Sequence, residues 1–327
     1  MTVDGPDIRG AHAVLFGGTG FIGRHLTSTL LACGAAEVVQ ADVVPPPGPL
    51  PERVRFARCD VRGPVDLPTP DAPLVFNLAA VHRTPGHPDH EYYETNLAGA
   101  ENVTAFARER GTTSLWFTSS IAVYGPSEEP KREESPPRPV SAYGTSKLQA
   151  ERIHRDWVQE ARDRRLVIVR PATVFGPGEG GNFTRLAGAL RKRRFLYPGR
   201  KDTVKACGHV DELTRTMLFM WRFAQPDVTY NFTYGPPPTI EEICRAYHEV
   251  GGLPRPLGVA PVRPLLAVAR LLKAAGLNTF DPERVTKLMR STNIEPARLA
   301  EAGYVYETDL HSALARWRDA DPRGEFV

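Results

Sequence analysis

His12-Ala13-Val14-Leu15-Phe16-Gly17-Gly18-Thr19-Gly20-Phe21-Ile22-Gly23 is the stretch that decides the fold. A short apolar strand runs into a turn whose glycines fall at GxxGxxG spacing, and a helical pattern follows to about Cys33. The first N–H groups of a helix have no intrahelical partner, and the helix dipole adds positive potential there. Such a strand–turn–helix junction is a dinucleotide site. Gly17 permits the tight turn, Gly20 admits the diphosphate, and Gly23 lets the helix pack close.

Outward from this junction the chain alternates short apolar strands with helical patterns, the signature of a parallel sheet. Further strands are expected at 37–42, 54–60, 74–80, 114–120 and 166–170, with a helix carrying Asn96 after the fourth and a long helix starting near Tyr143. The fold class is therefore α/β, a doubly wound parallel sheet with a smaller mixed lobe. After Pro171 the loops lengthen and Gly- and Pro-rich turns separate short helices. Residues 1–170, with a return at about 207–232, are read as the nucleotide-binding part. Residues 171–206 and 233–327 are read as the substrate-binding lobe.

Candidate chemistry gathers where such folds place it, at the carboxyl ends of strands. Asp42 lies 19 residues beyond Gly23 and ends the second strand. A carboxylate there accepts from both adenosine-ribose hydroxyls and repels a 2′-phosphate, which points to NAD over NADP. A strand-ending turn aspartate is the plainer alternative. Asp60-Val61 ends the third strand, where a carboxylate can meet the adenine amino group and a surface turn serves almost as well. Tyr143 and Lys147, four apart, lie on one helical face one turn apart, so the ammonium favours the phenolate. With the glycine turn upstream, they describe a proton-transferring tyrosine beside a nicotinamide.

The 327 residues suffice for a large domain plus a smaller one, and the 41% hydrophobic and 24% charged content is ordinary for a globular chain. A net charge of +3 gives no reason to expect a nucleic-acid partner. The basic runs at 162–165 and 191–194 fall where helices should end. Cys33, Cys59, Cys207 and Cys244 are widely spaced without a metal-ligand pattern, so no metal site is expected. The polar first residues do not resemble a signal peptide, and a cytoplasmic location with reduced thiols is the expectation. Pro264 to Ala275 is apolar but too short for a bilayer span, which takes about 20 residues. It reads as a packed amphipathic helix, with interfacial docking as the minority alternative.

The ordered set of Gly17-to-Gly23, Asp42, Asp60-Val61, Asn77-Leu78-Ala79-Ala80, Asn96, Ser119-to-Gly125, Tyr143/Lys147, Arg170-to-Gly178, His209-Val210-Asp211 and Ser291-to-Ile294 resembles the extended short-chain dehydrogenase/reductase family, in its nucleotide-sugar epimerase and dehydratase branch. The resemblance covers nearly the whole chain and implies a Rossmann fold and NAD as cofactor. It implies Tyr143 as acid/base, Lys147 on the nicotinamide ribose and Ser120 on the reacting hydroxyl. Gly17, Thr19, Gly20, Phe21, Ile22, Gly23, Asp42, Asp60, Val61, Ala79, Ala80, Asn96, Ser119 and Pro171 would bind or line the cofactor with that pair. Asn182 and Lys205 would meet the substrate, a nucleotide-diphosphate sugar; His82 touches the sugar or caps its loop, and Arg284 or Arg290 is a further diphosphate ligand or plain surface charge. Relatives in this branch are commonly homodimers, so a homodimer is expected. Dehydratases of the branch follow the serine or threonine with an aspartate and a glutamate. Here Ile121 and Ala122 stand there, and neither transfers a proton. Epimerisation, most simply at C4 through a 4-keto sugar, is the expected reaction. A keto-sugar reductase and a dinucleotide-sensing protein without catalysis are the alternatives.

Overall fold

Seven parallel strands make the central sheet: β1 (His12–Phe16), β2 (Glu37–Asp42), β3 (Val54–Arg58), β4 (Leu74–Asn77), β5 (Ser114–Thr118), β6 (Arg165–Pro171) and β7 (Asp227–Phe232). In the computed structural model, residues 8–82, 86–274 and 282–327 are described. The spatial order is β7-β6-β5-β4-β1-β2-β3. β1 pairs with β2 on one side and β4 on the other, so the chain winds outward in both directions from β1. The crevice beyond the carboxyl ends of β1 and β4 is the topological switch point, where open α/β sheets take their ligands.

Burial on both faces explains why the strands read as apolar runs rather than alternations. Along β6, Leu166 and Ile168 enter one core while Val167 and Val169 enter the other, as a period of two demands. On the first face lie Phe106 of α2 (Asp89–Glu109) and Trp157 of α3 (Ala142–Gln159). On the second lie Leu26 and Leu30 of α1 (Phe21–Ala32) and Leu213 and Met217 of α5 (Val210–Met220). The indole of Trp116 donates to the Met217 carbonyl at 2.9 Å, so this buried ring leaves no polar atom unpaired.

Three strands stop short of the expected limits. β3, β4 and β5 end at Arg58, Asn77 and Thr118, and the residues that follow leave the sheet as loops. β7 pairs parallel with β6 from Asp227↔Leu166 to Phe232↔Pro171. Among the described residues, the further elements include α4 (Asn182–Arg191), α6 (Ile240–Gly251), α7 (Val262–Ala274), α8 (Pro282–Met289), α9 (Ala297–Glu301), α10 (Leu310–Ala320), three two-stranded pairings and two isolated bridges. Around Phe175, Phe183, Tyr247 and Trp317, helices α4, α6 and α10 form a separate core, in which Phe175 and Phe183 stack at 4.3 Å, while Leu299 of α9 joins the core under the sheet. A capping box between Thr239 and Glu242 starts α6, and Gly252 at φ +64° ends it.

Two histidines are locked inside this framework. His154 stacks on Phe117 at 4.1 Å, and burial pushes it down to about 4 from the ordinary 6.5; His209 is likewise held at about 4 by burial. Between those values the unfolded chain takes up protons that the folded chain refuses, so stability is full above about pH 6.5 and is lost as pH falls towards 4. Thermal midpoints across pH 4–7 should fall over that window, and a flat profile would contradict the burial of these rings.

Candidate active site

The glycine turn owes its shape to three close approaches. A Cβ at Gly17 (φ +77°) would lie 2.8 Å from the Ala79 amide nitrogen, and one at Gly23 would lie 2.5 Å from the Gly18 carbonyl oxygen. Gly18, which the GxxGxxG spacing does not single out, is equally constrained, with a Cβ 2.7 Å from the Leu15 carbonyl oxygen. Gly20 differs. It is exposed, its Cβ would meet only the Gly17 oxygen at 3.2 Å, and it starts α1 with no side-chain cap. The amides of the first turn of α1 are therefore left to an incoming anion. Phe21 and Ile22 are half-buried behind it.

Asp42 is half-buried at the carboxyl end of β2, and its carboxylate accepts from the amides of Thr19 and Val44, each at 3.2 Å. The Thr19 hydroxyl donates to the Val44 carbonyl at 3.0 Å. The aspartate thus braces the glycine turn, and a carboxylate with about four acceptor sites keeps capacity for a ribose. Asp60 is engaged otherwise. Arg62 grips it through Nε and a terminal nitrogen, and this bond holds the carboxyl below its ordinary range. Asp60 thus lies exposed in a surface turn, paired with Arg62. Val61 is buried, and the Asn102 amide donates to its carbonyl. Ala79 and Ala80 are half-buried just past β4. The Asn96 side chain is spent inside the protein: it accepts from the Val81 amide at 3.1 Å and donates to Ser146 Oγ at 2.9 Å. It ties the β4 loop to α3 and shapes the crevice wall without facing it.

α3 begins where Ser141 caps it, accepting from the Gly144 amide at 3.1 Å. That start puts Tyr143 in the first turn and Lys147 in the second. A Cβ at Gly144 would sit 2.4 Å from the Ala122 carbonyl oxygen, so only glycine lets α3 dock on the 3-10 turn 121–123 that follows β5. Ser120 caps this short turn, accepting from the Ala122 amide at 3.1 Å, and its hydroxyl lies beside the Tyr143 phenol. Burial raises the phenol above its ordinary pKa, and the Ser120 contact opposes that rise. Gly144→Val should move α3 away from Ser120 and lower turnover by about 100-fold or more, a scale typical of a small displacement of catalytic groups. Steady-state rates check this, and turnover like that of the parent would contradict the docking argument.

Lys147 is buried, donates to the Thr118 carbonyl at 2.9 Å and stands 4.9 Å above the Phe117 ring. Burial pushes its pKa down to about 7, while the Glu151 charge opposes this. Glu151, one further turn along α3, is wholly buried and accepts from Ser119 Oγ at 2.6 Å. Arg170 reaches the same carboxylate through Nε at 2.8 Å and a terminal nitrogen at 2.7 Å. Burial works to raise Glu151, but the Arg170 bonds outweigh it and hold the carboxyl below its ordinary range. Arg170 also donates to Tyr124 Oη at 2.7 Å, which in turn donates to Asn231 Oδ1 at 2.9 Å. Ser119 therefore points inward to this network, not outward to a cofactor. The network escaped the sequence reading, although Glu151 continues the four-residue spacing of Tyr143 and Lys147 and Arg170 ends an apolar strand.

The expected substrate residues are more dispersed. Pro171, expected on the cofactor, is buried at the end of β6. His82 is exposed just past β4, and Asn182 is exposed as the first residue of α4. Lys205 Nζ donates to the carbonyls of Lys287 at 2.9 Å and Arg290 at 2.7 Å, closing the carboxyl end of α8, and burial pushes it down to about 8. Its charge is committed to these carbonyls here. The Arg284 side chain lies outside the described residues, and the Arg290 side chain is exposed near Ser291.

The uncapped α1 start, the open face at Gly20 and the carboxylate at the end of β2 fit an adenine dinucleotide bound across the switch point. Comparison with known proteins agrees. A model of the NAD dependent epimerase/dehydratase family matches residues 13–232. Among curated relatives, the N-acetyl-alpha-D-glucosaminyl-diphospho-ditrans,octacis-undecaprenol 4-epimerase of Escherichia coli O157:H7 is 26% identical over 318 residues, covering 93% of each chain. The 4-hydroxy-2-methyl-3-oxo-4-farnesyl-3,4-dihydroquinoline-1-oxide ketoreductase of Stigmatella aurantiaca is 26% identical over 341 residues, covering 94% of this chain and 96% of its own. The solved structure of the Thermus thermophilus UDP-glucose 4-epimerase with NAD superposes with a TM-score of 0.70 at 23% identity, covering 95% of this chain and all of that one, which shows a shared fold. The chain belongs to the NAD-dependent epimerase/dehydratase family.

Proposed function

We propose that this protein is a 4-epimerase of a sugar carried on a diphosphate, with a nucleotide-diphosphate sugar as the substrate class. The observation that carries the reading is the neighbouring Ser120 and Tyr143 at the crevice, with Lys147 one turn behind and no proton-transferring side chain at Ile121 or Ala122. Gly17, Thr19, Gly20, Asp42 and the α1 amino end would hold NAD, which supplies a reversible hydride acceptor when bound. Tyr143 takes the proton of the C4 hydroxyl at its phenol oxygen and later returns it. Ser120 holds that hydroxyl in line. The Lys147 charge, in a site screened from water, favours the phenolate. The sugar exists briefly as its 4-keto form and turns over in the pocket, so the hydroxyl is restored on the opposite face. Residues 171–206 and 233–327 are the substrate lobe in this reading, and a cytoplasmic homodimer is its expected state.

Incubation with UDP-glucose and UDP-N-acetylglucosamine, followed by proton NMR, tests the proposal. C4 epimers should appear without net formation or loss of NADH. A ketoreductase is the second reading, favoured by the similarity to the Stigmatella enzyme. It would replace the first if added NADH or NADPH were oxidised stoichiometrically with a keto substrate. Asp42→Ala removes a carboxylate from the cofactor and from Thr19, so NAD should bind about 10–100-fold more weakly and discrimination against NADP should relax. Titration of both dinucleotides measures this, and unchanged preference would make Asp42 a turn residue alone.

A further inference from the structure

We propose that α7 docks this protein on the surface of an anionic phospholipid bilayer. Residues 253–280 contain Arg255, Arg263, Arg270 and Lys273 and no acidic residue. α7 is attached by one side: Val262 is half-buried and packs against Gly199, where a Cβ would approach its side chain to 2.7 Å. Among the described residues, nothing is packed on the exposed positions of the other side. Pro264, Ala267 and Leu271 are exposed at positions i, i+3 and i+7, which is one strip of a helix, and Leu271 is 71% exposed. Arg263 and Arg270, seven apart and both exposed, run alongside that strip.

An apolar strip flanked by arginines on one exposed face matches a bilayer interface. Leucine enters the acyl boundary while the guanidinium groups meet lipid phosphates and their stems lie along the surface. At about 1.5 Å per residue, the 13 residues of α7 extend roughly 20 Å, too short to cross the hydrocarbon core, so the helix lies on the surface. A two-fold contact with a second copy fits less well. It would set the same acid-free strip against itself and bring arginines together without carboxylates. The docking face also adjoins the substrate lobe, since α7 packs on α8, whose carboxyl end is tied to Lys205.

The proposal is independent of the reaction assigned above and is tested without turnover. The full chain is sedimented with phosphatidylcholine vesicles, with and without phosphatidylglycerol. Binding to the anionic vesicles should exceed binding to the neutral ones by roughly 30-fold, the scale expected for two arginines near a charged surface. Leu271→Glu should abolish vesicle binding while leaving the thermal midpoint and the turnover of a soluble substrate unchanged. Arg263→Glu/Arg270→Glu should remove the anionic preference. Failure of the parent protein to bind anionic vesicles, or binding by Leu271→Glu equal to the parent, would overturn the proposal. So would a dimer that Leu271→Glu dissociates in sedimentation analysis while neither protein binds vesicles.

Discussion

Tyr143→Phe should lower turnover by about 10³-fold while NAD binding and the thermal midpoint stay close to those of the parent. The substitution deletes one oxygen. That oxygen lies beside Ser120 and is the phenol placed to exchange a proton with a sugar hydroxyl. A positioned acid/base contributes about 10²–10⁴-fold. The ring contacts, including the tilted approach of Tyr92 at 6.1 Å, persist in phenylalanine. The loss should therefore fall on kcat and kcat/KM together, with KM little changed, as expected for an interaction made in the transition state. Rates near those of the parent would show that the proton moves through another group and would sink the mechanism.

Glu151→Gln should be the most damaging change to stability around the site, at about 3–5 kcal/mol. The amide cannot compensate the Arg170 guanidinium, which would remain almost fully buried beside Tyr124 without a counter-charge. The same change withdraws the charge that opposes the desolvation of Lys147 and weakens the anchor of Ser119. Denaturant unfolding measures the first effect. The pH profile of turnover measures the second: with Lys147 losing its proton at lower pH, the alkaline limb should move to lower pH. Pairing Glu151→Gln with Arg170→Met removes the orphaned charge, so much of the stability should return while the altered profile remains. Recovery of both would mean that Glu151 acts on the fold alone.

The parallel sheet could be read from the chain because its signals are local. Residues 12–23 contain the strand, the turn and the helix start in one unbroken segment, and apolar runs such as Leu166 to Val169 report burial on both faces. Tyr143 and Lys147 were legible for the same reason, since a four-residue spacing defines a helical face before any packing is known. Strand ends were read too long at 59–60, 78–80 and 119–120. Small or apolar residues such as Leu78, Ala79 and Ser119 fit strand patterning, whereas in the structure they lie in loops just past the sheet.

Asp60, Asn96, Ser119 and Lys205 show where local reading stops. Each has a residue type that can bind a cofactor or substrate, and each meets an internal partner: Arg62, the Val81 and Ser146 pair, Glu151, and two backbone carbonyls. The partners of the last three lie 15 to 85 positions away in the chain. Sequence alone determined the fold class, the dinucleotide turn and the tyrosine–lysine face, because strand periodicity, glycine geometry and helical spacing act within a few residues. Tertiary structure alone decided which polar groups face the crevice and which hold it together, because hydrogen bonds and buried charges choose their partners across space, after the sheet has brought distant segments into contact.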